Sequence, residues 1–285
     1  MFQKATKTQS RLRFAVAGPS GSGKTYSALK IGQHLGGSIA LIDTEHGSAS
    51  KYADLFDFDT APLTNHHPSH YIELIKTAGR SDYDVIIIDS LSHAWFWELN
   101  ETGRAENTFR AWGNVRPLER ALIDAMLSSP AHIIATMRTK TEWVVEETTN
   151  RKGKTVAAPR KVGTAPIQAS GIEYEFDVSG ELDLNHLLTI SKSRCPELSN
   201  TTHLNPGEEL ADTLLSWLSD GAPMPESAYS KCKPVLEARQ IEGVETAAVK
   251  TIIQAEFDGC TSPSQLSTQD CDRLVAMIES LRESA

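Results

Sequence analysis

The stretch Leu12-Arg13-Phe14-Ala15-Val16-Ala17-Gly18-Pro19-Ser20-Gly21-Ser22-Gly23-Lys24-Thr25 decides how the rest of the chain is read. Its first seven residues form a short apolar run closed by glycine, which predicts a buried strand. Its last eight match GxxxxGK[ST], and the segment from Lys24 to about Leu35 predicts a helix ended by Gly36-Gly37. Between a strand and a helix, such glycines let backbone N–H groups curl inward around phosphate oxygens. Lys24 then reaches the β- and γ-phosphates and Thr25 offers its hydroxyl to Mg²⁺. The helix adds its positive end. Gly18, Pro19, Ser20, Gly21, Ser22, Gly23, Lys24 and Thr25 are therefore the nucleotide-binding candidates. The competing reading is a chance glycine-rich turn, against which stand the match at every fixed position and the elements on either side.

Outward from this loop, apolar strands alternate with helices. SIALID (38–43) predicts a second strand, APLT (61–64) a third, VIIIDS (85–90) a fourth and HIIATM (132–137) a fifth. Helices are expected from Pro68 to about Ala78 and from about Val115 to Leu127. Apolar strands joined by helices belong to a parallel sheet covered on both faces. After Met137 the pattern changes. TEWVVEE (141–147) and the basic stretch to Lys161 look like a hairpin, and 173–183 with 186–192 like two strands meeting antiparallel. The expected fold is α/β, a mainly parallel sheet flanked by helices with an antiparallel extension. The core spans 1–219 and the linker DGAPMPES lies within 220–227. A small acidic helical domain follows at 228–285, with helices near 246–257 and 268–281.

Length and charge narrow the function. The 285 residues suit one large domain and a small one, with 40% hydrophobic and 23% charged residues. No apolar run reaches the ~20 residues of a membrane span, and the first residues lack the apolar core of a signal peptide. The four cysteines are scattered without a CxxC pair, which suits reduced thiols in a cytoplasm. The nine histidines show no HExxH, so no metal other than nucleotide-borne Mg²⁺ is expected. Residues 1–196 hold 22 Lys/Arg and 22 Asp/Glu, whereas 197–285 hold 6 and 15, so the whole surplus of −9 lies in the C-terminal third. Uniform basic coating for nucleic acid is excluded. A local basic patch is not, since 138–161 carry seven Lys/Arg against three Glu.

Carboxylates come next. Asp89 ends VIIIDS on the sheet edge that carries the phosphate loop, where it can hold Mg²⁺ through water, with Ser90 beside it. Capping the next helix is its plainer alternative. Glu45 lies just past the second strand and could orient the attacking water, with Asp43 competing for that role two residues earlier. Thr136, Arg138 and Lys140 end the fifth strand. The basic hairpin offers Trp143, Arg151, Lys152, Lys154, Arg160 and Lys161 as candidate DNA contacts: cations for phosphates and a ring for stacking. A solvated hairpin is the bland reading. His93, Trp95, Trp97, Arg104, Arg110, Trp112 and Arg116 form a second aromatic–basic region.

GPSGSGKT, LIDTEHG and VIIIDS together resemble the core of bacterial RecA and its relatives, that is, a RecA-like P-loop NTPase. The resemblance implies that Glu45 is the catalytic base. It also implies that one of Thr136, Arg138 and Lys140 senses the γ-phosphate, although the Asn-Gln pair of RecA is missing here. It further implies that Lys192 and Arg194 in SKSR reach a nucleotide held by the neighbouring subunit of a ring or filament. Stretches such as WGNVRPLERALIDAMLSSPAHIIATMRTKTEWVVEE and PRKVGTAPIQASGIEYEFDV are similar to a phage and prophage family of small RecA-like ATPases linked to single-strand annealing and homologous recombination. That implies ATP and Mg²⁺ as cofactors, a homo-oligomer on single-stranded DNA and a bacterial cytoplasm. The C-terminal domain falls outside this match and resembles small helical modules at the ends of phage recombination proteins, which implies a protein partner, with a plain packing appendage as the alternative. A helicase or loader, a nucleotide-gated scaffold and a small-molecule kinase share the same core motif.

Overall fold

The computed structural model describes residues 4–81, 83–149, 155–223, 235, 238, 246–257, 260, 266 and 268–283, with side chains except at 141–149, 155–163, 246–247, 268 and 280–283. In chain order the first unit carries β1 (Arg13–Gly18), α1 (Lys24–Leu35), β2 (Ile39–Asp43), β3 (Asp59–Pro62), α2 (Pro68–Arg80) and β4 (Val85–Asp89). Then follow α3 (Ser92–Arg104), α4 (Thr108–Leu127), β5 (His132–Thr149), β6 (Thr155–Pro166), β7 (Val178–Leu182), β8 (Leu187–Ser193), β9 (Thr202–Leu204) and α5 (Glu208–Ser219). The chain divides into two compact units, Met1–Ala222 and Pro223–Ala285. The second holds α6 (Thr246–Glu256) and α7 (Thr268–Glu283), which share a small core of Val249, Ile253, Phe257, Leu274 and Ile278.

The sheet order is β3-β2-β4-β5-β1-β7-β8-β9, with β6 paired to β5. From β3 to β7 every neighbouring pair is parallel; β7–β8, β8–β9 and β5–β6 are antiparallel. Alternation across the strands explains the layers. Phe14 and Val16 face the side packed with α1 and α5, while Ala15, Ala17, Ile86 and Ile88 face the side packed with α2 and α4. Val85 to Ile88 are wholly buried, each side chain worth roughly 2 kcal/mol of transfer free energy. Buried Arg13 stitches β1 to the end of α4 by donating to the carbonyls of Leu12, Leu127, Ser129 and Ala131. No helix among the described residues is long and apolar enough to cross a membrane.

Several elements differ from the sequence reading. The third strand is Asp59–Pro62, two residues earlier than expected, and it is largely exposed. The aromatic–basic region 93–116 is mostly helical. It forms α3 and the first turns of α4, a helix that begins at Thr108 and carries Pro117 inside it. The Asn107 side chain caps that start by accepting from Arg110 N–H, a signal hidden by the proline behind it. HIIATM and TEWVVEE are one 18-residue strand, β5. Residues 172–175 make a 3₁₀ turn, so the strand expected from 173 begins at Val178.

The α3–α4 contact buries two carboxyls, Glu98 and Glu119. Arg116 lies 3.4 Å from Glu119 Oε2, whereas buried Glu98 Oε2 has no hydrogen-bond partner among the described residues. Burial, reinforced by the charge of Glu119 and opposed by Arg116, pushes the Glu98 carboxyl up to about 8.

Candidate functional site: a phosphate loop facing two carboxylates

Strand register gathers the polar residues at one sheet edge. Gly18 pairs with Arg138, and Asp43 pairs with Asp89; Ile88 pairs with Ala135, so Asp89 abuts Thr136. The loop between β1 and α1 turns here because Gly21 (φ 81°) and Gly23 (φ 89°) take the left-handed backbone that side chains disfavour. Lys24 Nζ donates to the carbonyl of Pro19 at 2.8 Å, so its ammonium lies folded over the loop.

Asp89 is buried and accepts from two hydroxyls, Thr25 Oγ1 at 2.6 Å and Thr136 Oγ1 at 2.5 Å. Burial pushes its carboxyl up, and the two hydroxyls pull it back in part. Glu45 takes both branches of a guanidinium: Arg138 Nε donates to Oε1 at 2.9 Å and Nη2 to Oε2 at 2.5 Å. Ser90 Oγ is 3.4 Å from Glu45 Oε1. Burial raises the Glu45 carboxyl, but Arg138, with His93 and Lys24 behind it, overrides this and holds it below the usual carboxylate range. Burial lowers the Lys24 ammonium, opposed by Asp89 and Glu45. Asp43, the rival of Glu45, is 3% exposed and accepts the Glu45 N–H at 2.7 Å. It is thus spent on shaping the turn that presents Glu45.

A cavity of about 530 Å³ opens on these groups, with Lys24, Thr25, Glu45, Asp89 and Arg138 all in its wall. A second cavity of about 300 Å³ shares Gly21, Gly23 and Tyr52 with the first and adds Tyr26, His186 and Asn205. His186 and Asn205 both have positive φ (60° and 50°), and the Asn205 N–H donates to the His186 carbonyl at 2.9 Å. The His186 ring meets the Ser22 carbonyl through Nδ1 at 2.8 Å and so braces the phosphate loop from the β7–β8 hairpin. Sequence reasoning missed His186. No motif marks it, and only the pairing of β7 with β1 brings it to the loop.

The other candidates lie elsewhere. Thr136 is fully buried on Asp89 and Arg138 is on Glu45, but Lys140 is exposed and lies outside the cavity wall. Lys192 and Arg194 are tied to the turn before β7. Lys192 Nζ donates to the Phe176 carbonyl, and Arg194 donates to Asp177 Oδ1 at 2.9 Å and to the Tyr174 carbonyl at 3.1 Å. Neither lines the cavity of its own chain. Burial and the neighbouring Arg194 lower the Lys192 ammonium. Arg151, Lys152 and Lys154 lie outside the described residues, as do the side chains of Trp143, Arg160 and Lys161; the backbones of Trp143 and Lys161 pair across β5–β6. In the helical region Trp95 and Trp112 rings lie 5.7 Å apart, with the Arg116 guanidinium 5.3 Å from the Trp112 ring. Trp97 instead meets the His67 ring at 4.4 Å.

Residues 10–205 match a family profile described as an AAA domain. A search of curated proteins found no match.

Proposed function

The chain belongs to the AAA domain family of P-loop ATPases, and from that premise we propose that it is a Mg²⁺-dependent ATPase that assembles on single-stranded DNA and promotes annealing or strand exchange. One observation carries the ATPase part: Lys24, Glu45, Asp89 and Arg138 converge on a single cavity floored by the phosphate loop. The backbone N–H groups of residues 20–25 would hold the phosphates of ATP, with Lys24 released from the Pro19 carbonyl to meet the β- and γ-oxygens. The second cavity, lined by Tyr26, Tyr52 and His186, would take the base and ribose. The oxygen donors Thr25 and Asp89, 2.6 Å apart, fit a hard divalent cation. When bound, Mg²⁺ neutralises charge on the phosphates.

Glu45 is the general base. Both Glu45 oxygens are held by Arg138, so Arg138 would exchange partners as a γ-phosphate enters, freeing Glu45 for water and placing a cation on the transferred group. Lys192 and Arg194, unused in their own cavity, serve the site of an adjacent copy. Support for DNA comes from the basic, tryptophan-bearing composition of 138–161 and from the resemblance to recombination ATPases. A second reading, nucleotide-gated assembly with negligible turnover, is favoured by the full engagement of Glu45 with Arg138.

The test is ATP hydrolysis with Mg²⁺ across a protein concentration series, with and without single-stranded DNA. Turnover per subunit rising with both is expected. Turnover that ignores DNA removes the DNA role, and turnover that ignores concentration removes the shared site. Assembly on ATP without phosphate release selects the scaffold.

A further inference from the structure

Beyond Asp43 and Asp89 the paired strands β2 and β4 end, yet the residues that follow must keep Glu45 and Asp89 in fixed relation. Thr44 supplies the missing tie. It is 1% exposed, and its N–H donates to the Asp89 carbonyl at 2.8 Å. Its Oγ1 accepts the Ser90 N–H at 2.7 Å and lies 3.0 Å from the Asp89 carbonyl and 3.2 Å from that of Ser90. His93, from the first turn of α3, brings its Nδ1 to 2.6 Å from the same oxygen.

A hydroxyl has one proton and two lone pairs. The Ser90 N–H fills one lone pair. If the Thr44 proton went to His93, the carbonyls at 3.0 and 3.2 Å would receive nothing from it. If His93 Nδ1–H donates instead, both lone pairs are filled and the proton serves a carbonyl, so the Thr44 hydroxyl is fully used. We propose that His93, protonated at Nδ1, is a positioning residue: it locks the Thr44 hydroxyl that knots the ends of β2 and β4, and so sets Glu45 against Asp89. The His66 ring, stacked on it at 4.7 Å and 17°, fixes the ring plane. Burial and the charge of Arg138 hold the His93 imidazole down to about 4, so the ring is neutral at physiological pH and carries a single proton.

The inference rests on the ATPase reading, because a knot matters catalytically only if Glu45 and Asp89 act together. In the full-length protein, His93→Phe keeps a flat ring and loses the donor, whereas His93→Asn restores a donor near the position of Nδ1. His93→Phe and Thr44→Val should each lower kcat roughly 10–100-fold, the scale of a misplaced catalytic group. Affinity for a fluorescent ATP analogue should stay within about twofold of wild type, and KM likewise. His93→Asn should recover most of the lost rate. The double variant Thr44→Val with His93→Phe should be no slower than Thr44→Val alone, since that substitution already removes the His93 contact along with the Ser90 bond. His93→Phe at wild-type rate overturns the proposal. So do His93→Asn as slow as His93→Phe, and loss of analogue affinity in step with rate. A readout free of turnover is the long-range ¹H–¹⁵N NMR spectrum of the His93 ring. A protonated Nδ1 with bare Nε2, shifted by Thr44→Val, is expected, and the opposite tautomer overturns the assignment. If the wild-type protein hydrolyses no ATP, the ATPase reading fails, and the NMR result alone decides the contact.

Discussion

The sheet edge at the phosphate loop and the turn at Tyr174–Asp177 both gather charged groups, but they hold them differently. At the edge, Asp89, Thr136, Thr44 and Ser90 are buried, and each is bonded to a residue from another strand end or the helix after it. At the turn, Lys192 and Arg194 lean on backbone carbonyls and one carboxylate, with the Arg194 side chain 54% exposed. Buried, mutually satisfied networks are costly to rearrange, whereas exposed ion pairs are worth only ~0–1 kcal/mol. The edge is therefore preset. The turn keeps two cations available for another partner at little cost.

Substitutions can break or sharpen this contrast. The largest effect is expected from Lys24→Ala: ATP turnover falls by at least about a thousandfold, measured as phosphate release, because Lys24 is the cation carried by the loop itself and meets both the β- and γ-oxygens. Glu45→Gln comes next. It should lower kcat roughly 100–1,000-fold while analogue binding persists, and hydrolysis at the wild-type rate would remove Glu45 as the base. Arg194→Ala should slow turnover about 10–100-fold and spare both nucleotide affinity and thermal stability. Mixing Arg194→Ala with Glu45→Gln subunits should restore part of the activity. A mixture no faster than its components would confine each site to one chain and erase the difference between edge and turn. The smallest effect is on stability: Glu98→Gln should raise Tm by a few degrees at pH 8 and hardly at all near pH 4.5, by calorimetry at both values.

Legibility in the sequence followed the reach of the forces involved. The phosphate loop and the strands around it were readable because glycine positions and apolar runs are local. Parallel pairing then brought Asp89 and Glu45 to the loop's edge without further information. Arg138 could not be separated from Thr136 and Lys140, since all three end one strand; the fold divides them, one on Asp89, one on Glu45 and one in solvent. His186 and Thr44 were invisible as site residues because their partners, mostly backbone groups, are distant in sequence. Helix α3 was lost among its aromatics. Its buried face includes Glu98 and Thr102, where a pattern reader expects apolar residues.

That same Glu98 takes up a proton when the chain folds near neutral pH. Below its ordinary value of 4.5 the carboxyl is protonated in folded and unfolded chain alike, and its burial carries no charge penalty. As pH rises from there toward about 8, the unfolded chain gives up this proton while the folded chain retains it. Stability drains away across that interval and the loss is complete above it, so unfolding near neutral pH releases this proton. His93 and His132, both lowered to about 4 by burial, contribute with the opposite sign, so it is the difference in protons released on melting between wild type and Glu98→Gln, counted in buffers of different ionisation enthalpy, that reports on the α3–α4 contact.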